Sequence, residues 1–174
     1  MTTTWPSDSV ERVAEFLRRA GAEARLEEFP EETATAADAA RAAGCAPEQI
    51  VKTLVFVAGD RPVVALVPGD RRADAGKVAQ AAGAEKARTA TAEEVQAATG
   101  FPPGGVAPFP LPDIERVLAE RTLLAQPLVW VGAGSGRHMA ALAPSELVRL
   151  ARAEPVDVVQ ASAYDSPSPT SGGR

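Results

Sequence analysis

Lys52 is the one charged side chain in IVKTLVF, an apolar run that otherwise reads as a buried strand. An ammonium in such a place needs a partner or a route to water. Two readings follow: the long stem can snorkel past a sheet edge, or the cation can anchor a phosphate or carboxylate at the mouth of a cleft. Further along, GFPPGGVAPFP, from Gly100 to Pro110, offers a complementary chemistry. Gly104 and Gly105 admit backbone conformations closed to other residues and let a ligand approach the main-chain amides. Pro102, Pro103, Pro108 and Pro110 fix neighbouring φ angles, and Phe101, Val106 and Phe109 have the character of packing anchors. A rigid loop presenting bare N–H groups suits a carbonyl that gains negative charge in a transition state. The same composition also describes a connector between a helix and a strand. If the amides carry chemistry, a bulky substituent at Gly104 or Gly105 should cost activity far more than stability.

Other residues narrow the possibilities. The sequence holds one histidine and one cysteine, too few for a Cys/His zinc site, and no Asp-x-Asp cluster suggests a carboxylate-bound metal. No metal or cofactor is expected. GAGSGR, Gly132 to Arg137, looks like a phosphate loop but lacks the helix that must open behind the glycines; it reads as a turn between two strands. Ser135 and His138 flank that turn, a pairing with nucleophile and base potential, although a lone histidine near a strand start is more often structural. Cys45 reads as a small buried apolar residue.

These residues must be positioned by regular elements. Val10, Val13, Phe16, Leu17 and Ala20 recur at helical spacing and stop at Gly21. ARLEEFP reads as a short strand. Thr35 opens a second helix that ends at Gly44. Two β-branched runs around Gly59-Asp60 predict a hairpin placed centrally in a sheet. Helices follow in ADAGKVAQAAG and TAEEVQAATG, with a short extended piece from Lys86 to Thr89 between them. IERVLAERTLL, PLVWVGAG and HMAALAP are three extended candidates, and Pro144 begins a last helix reaching Arg152. Without strict βαβ alternation, the pattern predicts an α+β fold: a mixed, mostly antiparallel central sheet flanked by helices. Residues 1–160 are expected to form a single domain, and 161–174 have the composition of a disordered tail.

The net charge of −5 argues against sequence-blind binding to long nucleic acid, although Arg61, Arg71, Arg72, Lys77, Lys86 and Arg88 could form a local basic patch around a cleft. The N-terminus lacks the features of a signal peptide, and no apolar run is long enough to span a membrane. The expectation is a cytoplasmic protein.

In order, QIVKTLVF, TGFPPGGVAPFPLP and WVGAGSGRHMAALAPSEL resemble the signature of the YbaK/ProX aminoacyl-tRNA deacylase superfamily, whose fold is also the editing insertion domain of bacterial prolyl-tRNA synthetases. The resemblance runs from about Val10 to Val158. It implies hydrolysis of the ester joining a wrong amino acid to the 3′ end of a tRNA, acting in trans because no synthetase modules accompany it. Its partners would be the acceptor end of a mischarged tRNA and, in some settings, a synthetase. By the same resemblance Lys52 would hold the terminal phosphate region and Thr53 would help to shape the site. Gly104, Gly105, Val106 and Pro108 would belong to the family's GxxxP loop, whose amides polarise the scissile carbonyl. The tRNA 2′-hydroxyl would assist a water in place of a protein nucleophile. Phe29 and Thr35 would border the pocket, and His138 would stand beside it. Some relatives that clear cysteine carry an Asp where this chain has Met139, so the resemblance implies a small amino acid, alanine, serine or threonine ahead of cysteine. Two alternatives stay open: a noncatalytic module that only binds the tRNA end, and an esterase using Ser135 and His138.

Overall fold

A computed structural model describes residues 8–161. In chain order its elements are α1 (Asp8–Arg19), β1 (Ala24–Glu28), α2 (Ala36–Ala43), β2 (Ile50–Ala58), β3 (Arg61–Pro68), α3 (Ala75–Ala82), β4 (Ala87–Thr89), α4 (Ala92–Thr99), β5 (Val117–Glu120), β6 (Val129–Ser135), β7 (His138–Leu142), α5 (Pro144–Ala151) and β8 (Ala153–Val156). Short 3₁₀ helices cover Pro47–Gln49 and Arg121–Ala125.

The helices begin and end where side chains can satisfy their free backbone groups. Thr35 accepts from the Asp38 amide to start α2, and Thr91 with Glu94 forms a reciprocal capping box at α4. Gly44, Gly83 and Gly100 close α2, α3 and α4 in the left-handed conformation. On α1 the periodic apolar residues Val10, Val13, Ala14 and Leu17 are the buried ones.

The strands lie in the order β1-β7-β6-β2-β3-β5-β8, with β4 pairing β2 off this path. Among the described residues, four pairings are antiparallel (β1–β7, β6–β7, β2–β3, β2–β4) and three parallel (β2–β6, β3–β5, β5–β8). The expected hairpin is present and central. Val51, Val55, Val64 and Leu66 pack toward α1 and α5 with Val13, Leu17, Leu147, Phe101 and Phe109. Phe56, Val63, Ala65 and Val67 face the other way, onto Val78 of α3 and Leu118. Helices therefore cover both sides of the sheet, as the near-continuous apolar character of β2 and β3 requires.

Three segments depart from the sequence expectation. IERVLAERTLL is extended only through Glu120 and then turns into the 3₁₀ helix. The cause is Glu120 itself: its side chain is 1% exposed and accepts from the Thr122 amide at 2.9 Å and hydroxyl at 2.7 Å, capping the turn. Gly132 to Ser135 are not a turn but the end of β6, with a register irregularity against β7; only Gly136 and Arg137 turn. Strand β8 had no predicted counterpart. The proposed tail lies, from residue 162 onward, outside the described residues, as do residues 1–7.

Candidate functional site

β2, the loop after α4 and the β6–β7 turn converge on one cleft with two lobes. The smaller lobe, about 330 Å³, lies over α2 and the ends of β6 and β7, and is lined by Ala34, Thr35, Ala39, Ser135, His138 and Met139 among others. The larger, about 620 Å³, opens toward Arg72, Ala73, Thr89, Pro103 and Gln160. Lys52, Thr53, Leu54, Gly104 and Val106 line both, and so form the waist between them.

Lys52 has a partner. Its Nζ donates to the carbonyl of Arg71 in the turn after β3. Burial lowers the Lys52 pKa from the ordinary lysine value; Asp70 opposes the change and Arg72 adds to it. The turn is held from the far end of the chain. The Asp74 amide donates to Val158 O at 2.8 Å, the Gln160 amide to Arg72 O at 2.8 Å, and Gln160 Nε2 to Ala73 O at 3.2 Å. Val158 in turn donates its amide to buried Glu120 at 3.2 Å. One residue along, the Thr53 hydroxyl is buried at the waist and, among the described residues, has no hydrogen-bond partner.

The opposite side of the waist is the glycine loop. Gly104 has φ +86° and open space beside it. Gly105 is buried: a Cβ there would stand 2.8 Å from Ser135 Cα and 2.9 Å from the Gly134 carbonyl oxygen. A Cβ on Gly132 would likewise meet Val106 O at 2.6 Å. The glycines of β6 are thus the floor on which the loop rests, which is the packing reason for GAGSGR. The Gly105 amide donates to Pro102 O at 3.0 Å. Among the described residues, the Gly104 and Val106 amides donate to no backbone carbonyl.

Ser135 and His138 meet at the mouth of the small lobe, Oγ to Nδ1, at 2.6 Å. His138 is 4% exposed, and its Nε2 lies 4.0 Å from Glu28 Oε1. Burial depresses its pKa, with Glu28 acting against this and Arg137 for it. The Ser135 hydroxyl also accepts from the Arg137 amide at 3.1 Å.

The sequence-predicted residues divide accordingly. Lys52, Thr53, Thr35, Gly104, Val106, His138 and Met139 line the cleft. Phe29, Gly105 and Pro108 do not. Phe29 is core, tilted against Trp130 at 5.9 Å between ring centres and packed with Met139. Pro108 is buried and faces a different cavity beside Phe16 and Phe109. The basic patch is largely neutralised: Arg61 pairs with Glu115, Lys77 with Asp157 and Arg88 with Glu94. Arg71 turns its guanidinium to Gln160 O at 2.7 Å, exposed Lys86 lines neither lobe, and Arg72 stands beside Lys52 at the larger lobe. Cys45 is partly buried against the cluster around Trp130, and burial raises its thiol pKa. Sequence reading offered Arg72 only as one member of a basic patch and missed the Arg71 carbonyl and Gln160. A signal for the Arg71 carbonyl existed: hairpin pairing sets Lys52 opposite Val67, so the turn following Pro68 had to lie beside it.

Fold and cleft together define an α+β domain with a lysine strand and a glycine loop facing each other across a two-lobed cleft. The profile of the aminoacyl-tRNA editing domain family matches residues 30–150, and the chain belongs to that family. Among curated proteins, the proline–tRNA ligase of Nitratidesulfovibrio vulgaris (strain DP4) is 35% identical over 130 residues, which is 75% of this chain and 22% of the ligase. That of Streptococcus thermophilus (strain LMD-9) is 34% identical over 112 residues, 64% of this chain and 18% of the ligase. The chain therefore spans about a fifth of the length of these relatives. A crystal structure provisionally assigned as a trans-editing enzyme for prolyl tRNA synthetase superposes with a TM-score of 0.84 at 36% identity, covering 90% of this chain and 100% of that one. No helix among the described residues is long and apolar enough to cross a membrane.

Proposed function

We propose that this protein is a trans-acting aminoacyl-tRNA deacylase that clears a small, wrongly attached amino acid from the 3′ end of a tRNA. The observation that carries the reading is the two-lobed cleft pinched between Lys52 with Thr53 and Gly104 with Val106. An ester of an amino acid with a terminal adenosine has that shape: a small group and a large group joined at one carbonyl. In this reading the aminoacyl group fills the alanine-lined lobe beside Met139, the adenosine fills the larger one, and the ester lies at the waist. Lys52 and Arg72 hold the terminal phosphate. The Gly104 and Val106 amides donate to the carbonyl oxygen as it gains charge. Water, assisted by the 2′-hydroxyl, adds to the carbonyl; the bond to the 3′ oxygen breaks, and that oxygen takes a proton. The products are the free amino acid and a deacylated tRNA. The likeness to the trans-editing structure over nearly its whole length supports action in trans.

The test is hydrolysis of tRNAs charged with Ala, Ser, Thr or Cys under single-turnover conditions, with Lys52→Met as control. Turnover of at least one substrate, lost in the variant, is the expected result. Hydrolysis of none, or activity undiminished in Lys52→Met, overturns the proposal. Tight binding of charged tRNA without turnover would instead identify a noncatalytic module.

A second reading rests on the Ser135–His138 contact at 2.6 Å with Glu28 behind the ring. That is a nucleophile, a base and an orienting carboxylate, and it predicts that Ser135→Ala abolishes hydrolysis of small esters while Lys52→Met does not.

A further inference from the structure

The glycine loop is gripped at both ends by a helix that lies outside the residues matched to the family, 30–150, and between those ends loop and helix meet the same strand glycine. At the loop's start, Arg12 of α1 donates from its guanidinium to Thr99 O at 3.0 Å, one of the last carbonyls of α4, and its Cζ stands 4.2 Å from the centre of the Phe101 ring. Gly100 lies directly beneath the guanidinium: a Cβ there would stand 2.7 Å from an Arg12 nitrogen, so any side chain at this position would have to displace Arg12. At the loop's far end, the Phe16 ring stacks on Phe109 at 5.4 Å between centres and 21° between planes. In the middle, Gly134 carries the loop on one side and the start of α1 on the other; its Cβ would stand 2.7 Å from the Ser9 carbonyl carbon, as that of Gly105 would approach Gly134 itself.

We infer that Arg12 is a positioning residue that, together with Phe16, sets the height of the Gly104–Val106 amides above the cleft. The inference rests on the proposed deacylation for its catalytic consequence, though not for its structural one. A guanidinium suits the task. It caps the negative end of α4, and its flat face lies on an aromatic ring, so one side chain fixes both the helix end and the first loop residue. Lysine has the charge without the plane. Arg12 touches neither lobe of the cleft, so an effect on turnover must pass through the loop.

The experiment compares wild type, Arg12→Lys, Arg12→Met and Phe16→Leu by single-turnover deacylation and by amide hydrogen exchange. For Arg12→Met the expected result is a rate lower by about ten- to a hundredfold, with KM for the charged tRNA within about twofold of wild type. Exchange across residues 101–109 should be faster by about tenfold while β2 and β3 keep their protection. Arg12→Lys should recover part of both, and Phe16→Leu, which keeps the cap and loses only the stacked ring, should move both in the same direction as Arg12→Met. Unchanged loop exchange, or exchange raised equally across the whole sheet, overturns the inference. A wild-type protein inactive on every charged tRNA overturns the proposed function instead, and the exchange measurement then still decides whether Arg12 holds the loop.

Discussion

Lys52 Nζ donates to the Arg71 carbonyl across the β2–β3 hairpin end, so the cation at the waist of the cleft is aimed by backbone rather than by a carboxylate. A carbonyl leaves the ammonium its full charge and two further N–H donors for an incoming anion. Lys52→Met keeps the stem and removes both. A charge-assisted contact is worth roughly 1.5–3 kcal/mol, so affinity for the tRNA acceptor end should fall about ten- to a hundredfold with little change in melting temperature. Binding isotherms and a thermal melt on the same variant check the two halves.

The direction of the Lys52 shift gives a second expectation. Burial lowers its pKa below the ordinary 10.5, so the cation is lost earlier than for an exposed lysine as pH rises. Binding of uncharged tRNA to wild type should weaken in the alkaline range before pH 10.5 is reached. Binding to Lys52→Arg should stay level there, because a guanidinium keeps its proton. Parallel titrations of the two proteins that decline together would rule out Lys52 as the titrating group.

The sequence predicts one response for Gly104 and Gly105, activity lost far more than stability; the structure keeps that for Gly104 and replaces it for Gly105, whose Cβ would fall in space held by backbone. Gly104→Ala meets open space and bears only the cost of φ +86°, about 1–2 kcal/mol; its activity loss should exceed its stability loss, because the neighbouring amide leaves its place. Gly105→Ala drives a methyl group into the backbone of Gly134 and Ser135, so stability and activity should fall together. Urea midpoints set beside single-turnover rates separate the two cases.

This contrast shows what could be read from the sequence and what could not. The loop was legible as a rigid, glycine-bearing element because proline and glycine restrict or free the backbone by themselves. Which glycine faces substrate and which faces the fold depends on β6, a strand separated from the loop in sequence, and spacing along one segment cannot report it. Lys52 stood out because a charge in an apolar strand is a local anomaly. Its partner is a main-chain carbonyl, and every residue carries one, so residue type had nothing to mark. Pro108 stands in the loop that carries the resemblance and Phe29 was expected to border the pocket, yet both are buried away from the cleft, Phe29 in the cluster around Trp130 and Pro108 beside Phe16 and Phe109; spacing along the chain does not separate the frame of a site from its surface. The helices and the central hairpin were legible through caps and periodicity; β8 and the glycine-rich end of β6 were not, having neither. IERVLAERTLL was not, because the carboxylate of Glu120 bends it by accepting from Thr122 inside the protein.

Glu120 makes a further expectation specific. Its buried carboxylate accepts from Thr122 and from the Val158 amide, and Val158, along with Gln160, ties the C-terminal segment to the turn bearing Arg71. Glu120→Gln puts an NH₂ where donors already point, leaving one unpaired at a cost of about 1–3 kcal/mol. Denaturant unfolding should register that loss. Protection of the Arg71–Asp74 amides from exchange should fall before that of α1, since only the former depends on Val158.

His138 predicts acid sensitivity. Its folded pKa lies below the ordinary 6.5 because burial disfavours the imidazolium. The unfolded chain therefore takes up a proton near pH 6.5 that the folded chain refuses, and stability should fall as pH drops from 6.5 toward the depressed value. Above pH 6.5 both states are neutral and this contribution is flat. His138→Gln should remove that part of the slope while lowering stability at neutral pH through loss of the Ser135 contact; a slope identical to wild type between pH 7 and 5 would assign the acid response to carboxylates.

The smaller lobe sets the last expectation, which concerns the amino acid. At about 330 Å³ it sits at the small end of ligand cavities, roughly 300–1,000 Å³. Ala39 of α2 and Met139 of β7 stand on its wall, and both also pack in the cluster around Phe29 and Trp130. The backing makes the wall rigid, so size should be enforced by exclusion. Alanyl, seryl, threonyl and cysteinyl esters should be cleaved, and leucyl and phenylalanyl esters should not. Discrimination among the small ones should stay within about 10- to 200-fold, because single methylenes and hydroxyls separate them weakly in an apolar pocket. Met139→Ala should widen the range to larger amino acids, and Ala39→Leu should narrow it to alanine or close the lobe altogether. Competition assays with pairs of charged tRNAs read this as a ratio of kcat/KM values, free of errors in active-site concentration. If Met139→Ala leaves every ratio unchanged, the aminoacyl group must lie in the other lobe, and the orientation proposed for the ester is reversed.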